Sequence, residues 1–219
     1  MIDLIIPYYN NIEGLIQTLN SVNKDIFYTT VVDDASTIAP SRPDANQVLR
    51  YNENKGPGFA RQFGIDRTNN EYIMFLDTGD IFTSPEAQAE ILDLITNNPQ
   101  VNFWSFPYFH YGKLTEDTDN RLHGKVYKRK FLEEYGISFA PESSYLDEDI
   151  GFNRTCRLCT EMKFVNKAVI EQIKDENSLT QKDNKASFYK NQTRALAQVS
   201  IHTIEICRKN NISVEEEIN

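Results

Sequence analysis

Three short acidic clusters and one arginine carry most of the chemistry open to this sequence: Asp33-Asp34, Asp77-Thr78-Gly79-Asp80, Glu148-Asp149 and Arg61. Adjacent carboxylates at Asp33 and Asp34 can accept hydrogen bonds from a base N–H or from ribose hydroxyls, which suits a nucleotide pocket. The same pair, followed by Ser36-Thr37, can also begin a turn or cap a helix. Gly56 and Gly58 would let backbone approach a ligand, and the Arg61 guanidinium offers donors to base or phosphate oxygens. Taken alone, those two glycines read equally well as a helix cap. Asp77 reads as the cap of a turn shaped by Gly79, and acids at 148 and 149 suit the positive end of a helix dipole.

Whether these groups meet depends on the elements between them. An apolar run over residues 2–7 predicts a strand, and Ile12, Leu15, Ile16 and Leu19 recur at helical spacing between Asn11 and Val22. Phe27 to Val32 predicts a second strand, Val48 to Tyr51 a third and Tyr72 to Leu76 a fourth, with helices over about Phe59 to Arg67 and from Pro85 to Thr96. Strand and helix alternate with short connections, so a mostly parallel, Rossmann-like α/β sheet flanked by helices is the economical topology. In such sheets ligands sit beyond the carboxyl ends of the strands. The polar clusters Tyr8-Asn10, Asp33-Thr37 and Asp77-Asp80 all fall there, so separate stretches of sequence converge on one cleft.

Farther along, Val101 to Tyr111 reads as one aromatic strand, Leu114 to Arg121 as a polar loop, and His123 to Tyr127 as a short strand. Lys130 to Tyr135 predicts a short helix, Phe164 to Ile173 a late strand and Ala186 to Arg208 a terminal helix. The basic run Lys125 to Lys130 reads as a solvated segment or, more sharply, as an anion contact. His110, His123 and His202 are scattered and read as surface or core residues.

Composition narrows the class. The 219 residues carry 23 Lys+Arg against 32 Asp+Glu, a formal charge of −9, which weighs against tight nonspecific binding to nucleic acid. No apolar run reaches the roughly 18–20 residues of a membrane-spanning helix, and the N-terminus does not read as a signal peptide, so a cytoplasmic protein, peripheral to a membrane at most, is expected. Three cysteines, Cys156, Cys159 and Cys207, suit reduced thiols on helices rather than a disulfide framework.

The motifs Ile5-Ile6-Pro7-Tyr8-Tyr9-Asn10, Val32-Asp33-Asp34-Ala35-Ser36-Thr37, Asn54-Lys55-Gly56 through Arg61 to Gly64, Phe75-Leu76-Asp77-Thr78-Gly79-Asp80 and Glu148-Asp149-Ile150-Gly151-Phe152-Asn153 stand in this order. Together they resemble the signatures of family 2 glycosyltransferases of the GT-A fold. The resemblance spans roughly residues 2–180. It implies an inverting transferase that moves a sugar from a nucleotide-sugar, a UDP-sugar above all, to a hydroxyl acceptor. Asp34 maps to the acid that contacts uracil, Pro7, Tyr9 and Asn10 to the base-pocket strand, and Arg61 to a nucleoside or phosphate contact. Asp77 and Asp80 map to the site for Mg²⁺ or Mn²⁺, although Gly79 replaces the second acid of the usual Asp-x-Asp-Asp. Asp149 maps to the general base, and Ser178, in Asn177-Ser178-Leu179-Thr180, to the stretch that closes over the phosphates. Lys174 and Asp175 stand where many members carry a histidine.

The expected organisation is a single GT-A domain. Residues 1–100 form its nucleotide-sugar half, 101–185 its acceptor and catalytic half, and 186–219 a C-terminal helix. Two other readings keep the same fold: a noncatalytic nucleotide- or glycan-binding protein, and a sugar transferase acting on a modified base in nucleic acid.

Overall fold

The structure, a computed structural model, describes residues 1–40, 44–115, 121–141, 147–174 and 185–214. The first half holds the expected β1 (Ile2–Tyr8), α1 (Ile12–Asn20), β2 (Phe27–Asp33), β3 (Gln47–Arg50), α2 (Pro57–Ile65), β4 (Tyr72–Phe75) and α3 (Pro85–Asn97), and adds between the last two a short strand the pattern does not predict, β5 (Ile81–Phe82). Local chemistry sets the helix starts. Asn11 caps α1 by accepting from the Gly14 N–H, and Ser84 caps α3 by accepting from the Ala87 N–H ahead of Pro85. The second half holds β6 (Phe103–Ser105), β7 (Tyr108–His110), β8 (Lys113–Leu114), β9 (Lys125–Lys128), α4 (Arg129–Tyr135), α5 (Asp147–Cys159), β10 (Lys163–Phe164), β11 (Ile170–Gln172) and the long α6 (Lys185–Lys209).

Seven strands form the main sheet in the order β10-β6-β9-β4-β1-β2-β3. The run β4-β1-β2-β3 is parallel, and β9 alone runs against both its neighbours. Both faces are covered, which explains the nearly continuous apolar strands. On β1, Ile2, Leu4 and Ile6 enter one core with Leu15 and Ile91, while Ile5 enters the other with Phe75, Phe131 and Phe152.

A second sheet has the order β5-β11-β7-β8, and nothing in the sequence pattern announces it. The aromatic run from Val101 to Tyr111 is divided between the two sheets. Pro107, between β6 and β7, has no N–H to continue a ladder, so the chain changes sheets there. The late strand likewise divides, β10 pairing with β6 and β11 with β5 and β7. Trp104, Phe106 and Tyr108 are core residues.

The basic run is solvated only at its far end, where Lys130 is exposed. Lys125 is buried and its Nζ donates to Ser105 Oγ at 2.7 Å, while Arg129 pairs with the buried Asp3 at 2.8 Å. That ion pair also draws in Asn70 and Thr68, fastening α4 to the amino ends of β1 and β4. Among the described residues, no helix is long and apolar enough to cross a membrane.

Candidate active site

At the carboxyl ends of β1 and β2 the chain turns through two residues in the left-handed region, Asn10 (φ 52°) and Ala35 (φ 55°). The two turns are stitched together: Asn10 N–H donates to Ser36 Oγ at 3.0 Å, and Thr37 N–H donates to Asn10 Oδ1 at 2.8 Å. Asp33 lies beneath them with no solvent exposure. It accepts from the Ser36 N–H and from Arg50, so both of its oxygens are engaged inside the protein. Asp34 faces the next loop, accepting from the Lys55 and Gly56 N–H groups at 2.7 and 2.9 Å. Burial pushes the Asp34 carboxyl above the ordinary range, and those two N–H groups hold it partly down. Tyr9 is largely exposed at the rim, and Pro7 accepts from Thr78 Oγ1 through its carbonyl at 2.7 Å.

That contact joins β1 to the turn after β4. There Asp80 N–H donates to Asp77 O, Gly79 N–H donates to Thr18 Oγ1 at 2.9 Å, and Thr18 Oγ1 donates to Asp80 O at 2.8 Å. Gly79 has φ +103°, a conformation that L side chains rarely adopt, and this is a physical reason for glycine where an acid was expected.

Arg61, on α2, is 3% exposed and spans the floor of the cleft. Its Nη1 donates to Asp149 Oδ1 and its Nη2 to Asp77 Oδ1, each at 2.6 Å. The sequence suggests a nucleoside or phosphate contact for Arg61; in the structure its outer nitrogens face the two carboxylates. Asp149 sits in the first turn of α5 and is 8% exposed. Burial raises its carboxyl above the ordinary range, against the lowering charge of Arg61. Although its surroundings also desolvate Asp77, Arg61 and His123 hold that carboxyl below the ordinary value.

His123 is the residue that pattern reasoning missed. It follows a polar loop and precedes Gly124, whose φ of +67° and approach to Phe106 O, 2.2 Å from where a Cβ would stand, admit only glycine. The imidazole stacks on Tyr108 with ring centroids 4.8 Å apart. Its Nε2 lies 3.2 Å from Asp80 Oδ2 and 3.6 Å from Asp77 Oδ2. Burial would push the imidazole down, but the contact with Asp80 and the charges of Asp77, Asp80 and Asp149 push it up. Asp80 Oδ1 accepts from the Ile173 N–H, whereas Asp80 Oδ2 and both ring nitrogens of His123 are buried without an aligned hydrogen bond. Ligand atoms of Asp77, Asp80 and His123 lie within 4.8 Å of one another. Two carboxylates and an imidazole whose buried polar atoms point together suit a divalent cation.

The structure thus brings Asp77, Asp80, Arg61 and Asp149 together and adds His123, while Tyr9 and Asn10 are exposed, Pro7 is half-buried and Asp34 is buried against the Lys55-Gly56 loop. Asp33 stays beneath that surface. Ser178, Asp175, the stretch Asn177 to Thr180 and most of the loop from Leu114 to Arg121 lie outside the described residues.

Known proteins repeat this arrangement of elements. A structure of residues 1–349 of TarS from Staphylococcus aureus, in complex with UDP-GlcNAc, matches with a TM-score of 0.73 at 20% identity, covering 94% of this chain and 70% of that one. A mannosyltransferase from Pyrobaculum calidifontis, in complex with GDP-Man and Mn²⁺, matches with a TM-score of 0.61 at 16% identity, covering 93% of this chain and 64% of that one. In sequence, an uncharacterized glycosyltransferase of Rickettsia bellii is 29% identical over 125 residues, 53% of this chain and 17% of its own length. One of Haemophilus influenzae is 29% identical over 114 residues, 49% of this chain and 38% of its own. The chain therefore spans well under half the length of these curated relatives. The family model described as glycosyl transferase family 2 matches residues 3–158, which include every acid of the cleft, and the chain belongs to that family.

Proposed function

We propose that this chain is an inverting glycosyltransferase that moves a sugar from a nucleotide-sugar, a UDP-sugar, to an acceptor hydroxyl on a glycan or another soluble or peripheral acceptor. The observation that carries this reading is the Arg61 guanidinium, which holds Asp149 and Asp77 on its two outer nitrogens. One group thereby fixes a candidate base beside the acidic turn where a diphosphate would lie. Asp149 removes the acceptor proton as that oxygen attacks the anomeric carbon, and a single displacement inverts the configuration. Arg61 orients this carboxylate and favours its charged form.

The nucleoside is assigned to residues 1–100, with Asp34 accepting from the base and Pro7, Tyr9 and Asn10 lining the pocket. Asp33 shapes that pocket through Arg50 and Ser36. Residues 101–185 are assigned to acceptor and catalysis, with Ser178 against the phosphates, and 186–219 to a supporting segment whose helix, α6, ends at Lys209. Asp77, Asp80 and His123 would hold Mn²⁺ or Mg²⁺. When bound, such an ion supplies positive charge against the departing diphosphate. The UDP-GlcNAc complex of the similar TarS structure supports a uridine donor.

Melting temperature measured with UDP, GDP, CDP and their sugars, each with Mn²⁺, Mg²⁺ or a chelator, tests the reading, because a ligand of the folded state raises it. A UDP-specific, metal-dependent rise is expected. The absence of a rise with every nucleotide would sink the donor assignment. Saturable binding without turnover on any acceptor would favour a binding protein instead.

A further inference from the structure

Helices α5 and α6 run parallel and meet in a fixed register. At the first rung Gly151 faces Val199 so closely that a Cβ at 151 would stand 2.0 Å from Val199 Cγ1. One turn on, Thr155 Oγ1 and Thr203 Oγ1 share a hydrogen bond of 2.9 Å. Four residues farther along each helix stand Cys159 and Cys207, and their thiols are in hydrogen-bond contact. Each rung advances by one helical turn, and the close approach at Gly151 keeps the backbones near enough for short side chains to bridge them. Cys207 is buried, whereas Cys159 is partly exposed at the end of α5. The third thiol, Cys156, lies on α5 itself, has no exposure and packs into the core with Phe152 and Ile206.

We propose that Cys159 and Cys207 form a reversible disulfide that locks the C-terminal helix onto the helix whose first turn carries Asp149. The oxidant is a small-molecule disulfide such as oxidised glutathione. The Cys159 thiolate attacks one of its sulfurs, and the first small thiol leaves. The Cys207 thiolate then attacks the Cys159 sulfur of the mixed disulfide, and the second small thiol leaves. The protein dithiol loses two electrons, the small disulfide gains them, and the two protons of the cysteines end on the two released thiols. Burial pushes the Cys159 thiol up to about 12, so exchange is slow at neutral pH and quickens with alkali.

The test is to equilibrate the chain with oxidised or reduced glutathione at mildly alkaline pH, block free thiols and map peptides without reduction. The expected map joins the Cys159 and Cys207 peptides, leaves Cys156 blocked, and reverts with reductant. Closing a loop of this length should raise the melting temperature of the oxidised form by roughly 5–10 °C. Cys156→Ser should leave the link intact, and Cys207→Ala should stop oxidation at a mixed disulfide on Cys159. A Cys156–Cys159 link in the wild-type map, or two blocked thiols at 159 and 207 after full oxidation, would overturn the proposal. Neither readout depends on glycosyl transfer.

Discussion

Arg61 and Asp149 stand 88 residues apart in sequence, yet Arg61 Nη1 donates to Asp149 Oδ1 across 2.6 Å in a cleft floor almost closed to water. The same guanidinium binds Asp77, so α2, the turn after β4 and the start of α5 are held by one side chain. Removing one partner of a buried ion pair leaves the other charge uncompensated, at a cost of about 3–5 kcal/mol. Arg61→Met is therefore expected to lose stability near the lower end of that range, because Asp77 is half-open to solvent and keeps its hydration. Urea unfolding measures this, and an unchanged midpoint would show the pair to be energetically neutral.

Asp149→Asn keeps the shape of the side chain and its oxygen toward Arg61 but cannot take a proton. A fall in kcat of about 10²- to 10⁴-fold is expected, with UDP affinity nearly unchanged. Transfer with a competent acceptor, alongside calorimetry with UDP, separates the two effects. Loss of neither would remove Asp149 from the role of base.

The first-half elements and their acidic ends were legible in sequence because each rests on local signals. Continuous apolar runs, helical spacing between Asn11 and Val22, and polar clusters at strand ends are written in neighbouring residues. Partners were not legible. Nothing near Arg61 shows that its nitrogens will be met by acids at 77 and 149, and a lone histidine at 123 carries no pattern at all. Its place comes from β9 pairing antiparallel between β4 and β6, and from Gly124 admitting the close approach of Phe106. Likewise, the division of the aromatic run at Pro107 follows from the second sheet, whose pairings join residues some 60 positions apart. Gly79 stands where the resemblance implies an acid; the structure places an imidazole beside Asp77 and Asp80.

His123→Ala should weaken Mn²⁺ binding by at least 10- to 100-fold while affecting Mg²⁺ much less, since imidazole favours the later ions and Mg²⁺ prefers oxygen. Electron paramagnetic resonance of free Mn²⁺ gives the affinity without any turnover. Equal losses for both ions would mean that His123 only shapes the two carboxylates.

Away from the cleft, Arg129→Met provides a contrast. Arg129 donates to buried Asp3 and to the carbonyls of Ile65 and Asn70, so the substitution strands a carboxylate and should destabilise by about 3–5 kcal/mol. UDP affinity measured below the lowered melting temperature should stay at the wild-type value, because no group of this network reaches the rim. A selective loss of UDP binding would couple the amino end of the sheet to the cleft.

Asp34 gives a pH dependence whose two signs oppose one another. Its carboxyl is raised in the folded chain, so the folded state holds the proton more tightly than the unfolded one. Between the ordinary value and the raised one, the contribution of Asp34 to stability therefore falls as pH rises. Base recognition needs the carboxylate as acceptor, so UDP affinity should rise across the same window. Calorimetry with UDP and urea unfolding at pH values stepped upward from the ordinary carboxyl value of about 4, compared with Asp34→Asn, separate the two effects. The wild-type protein should gain affinity relative to the variant as pH increases, while its stability relative to the variant declines. Parallel slopes would mean that Asp34 serves only to hold the Lys55-Gly56 loop and that the base is read elsewhere.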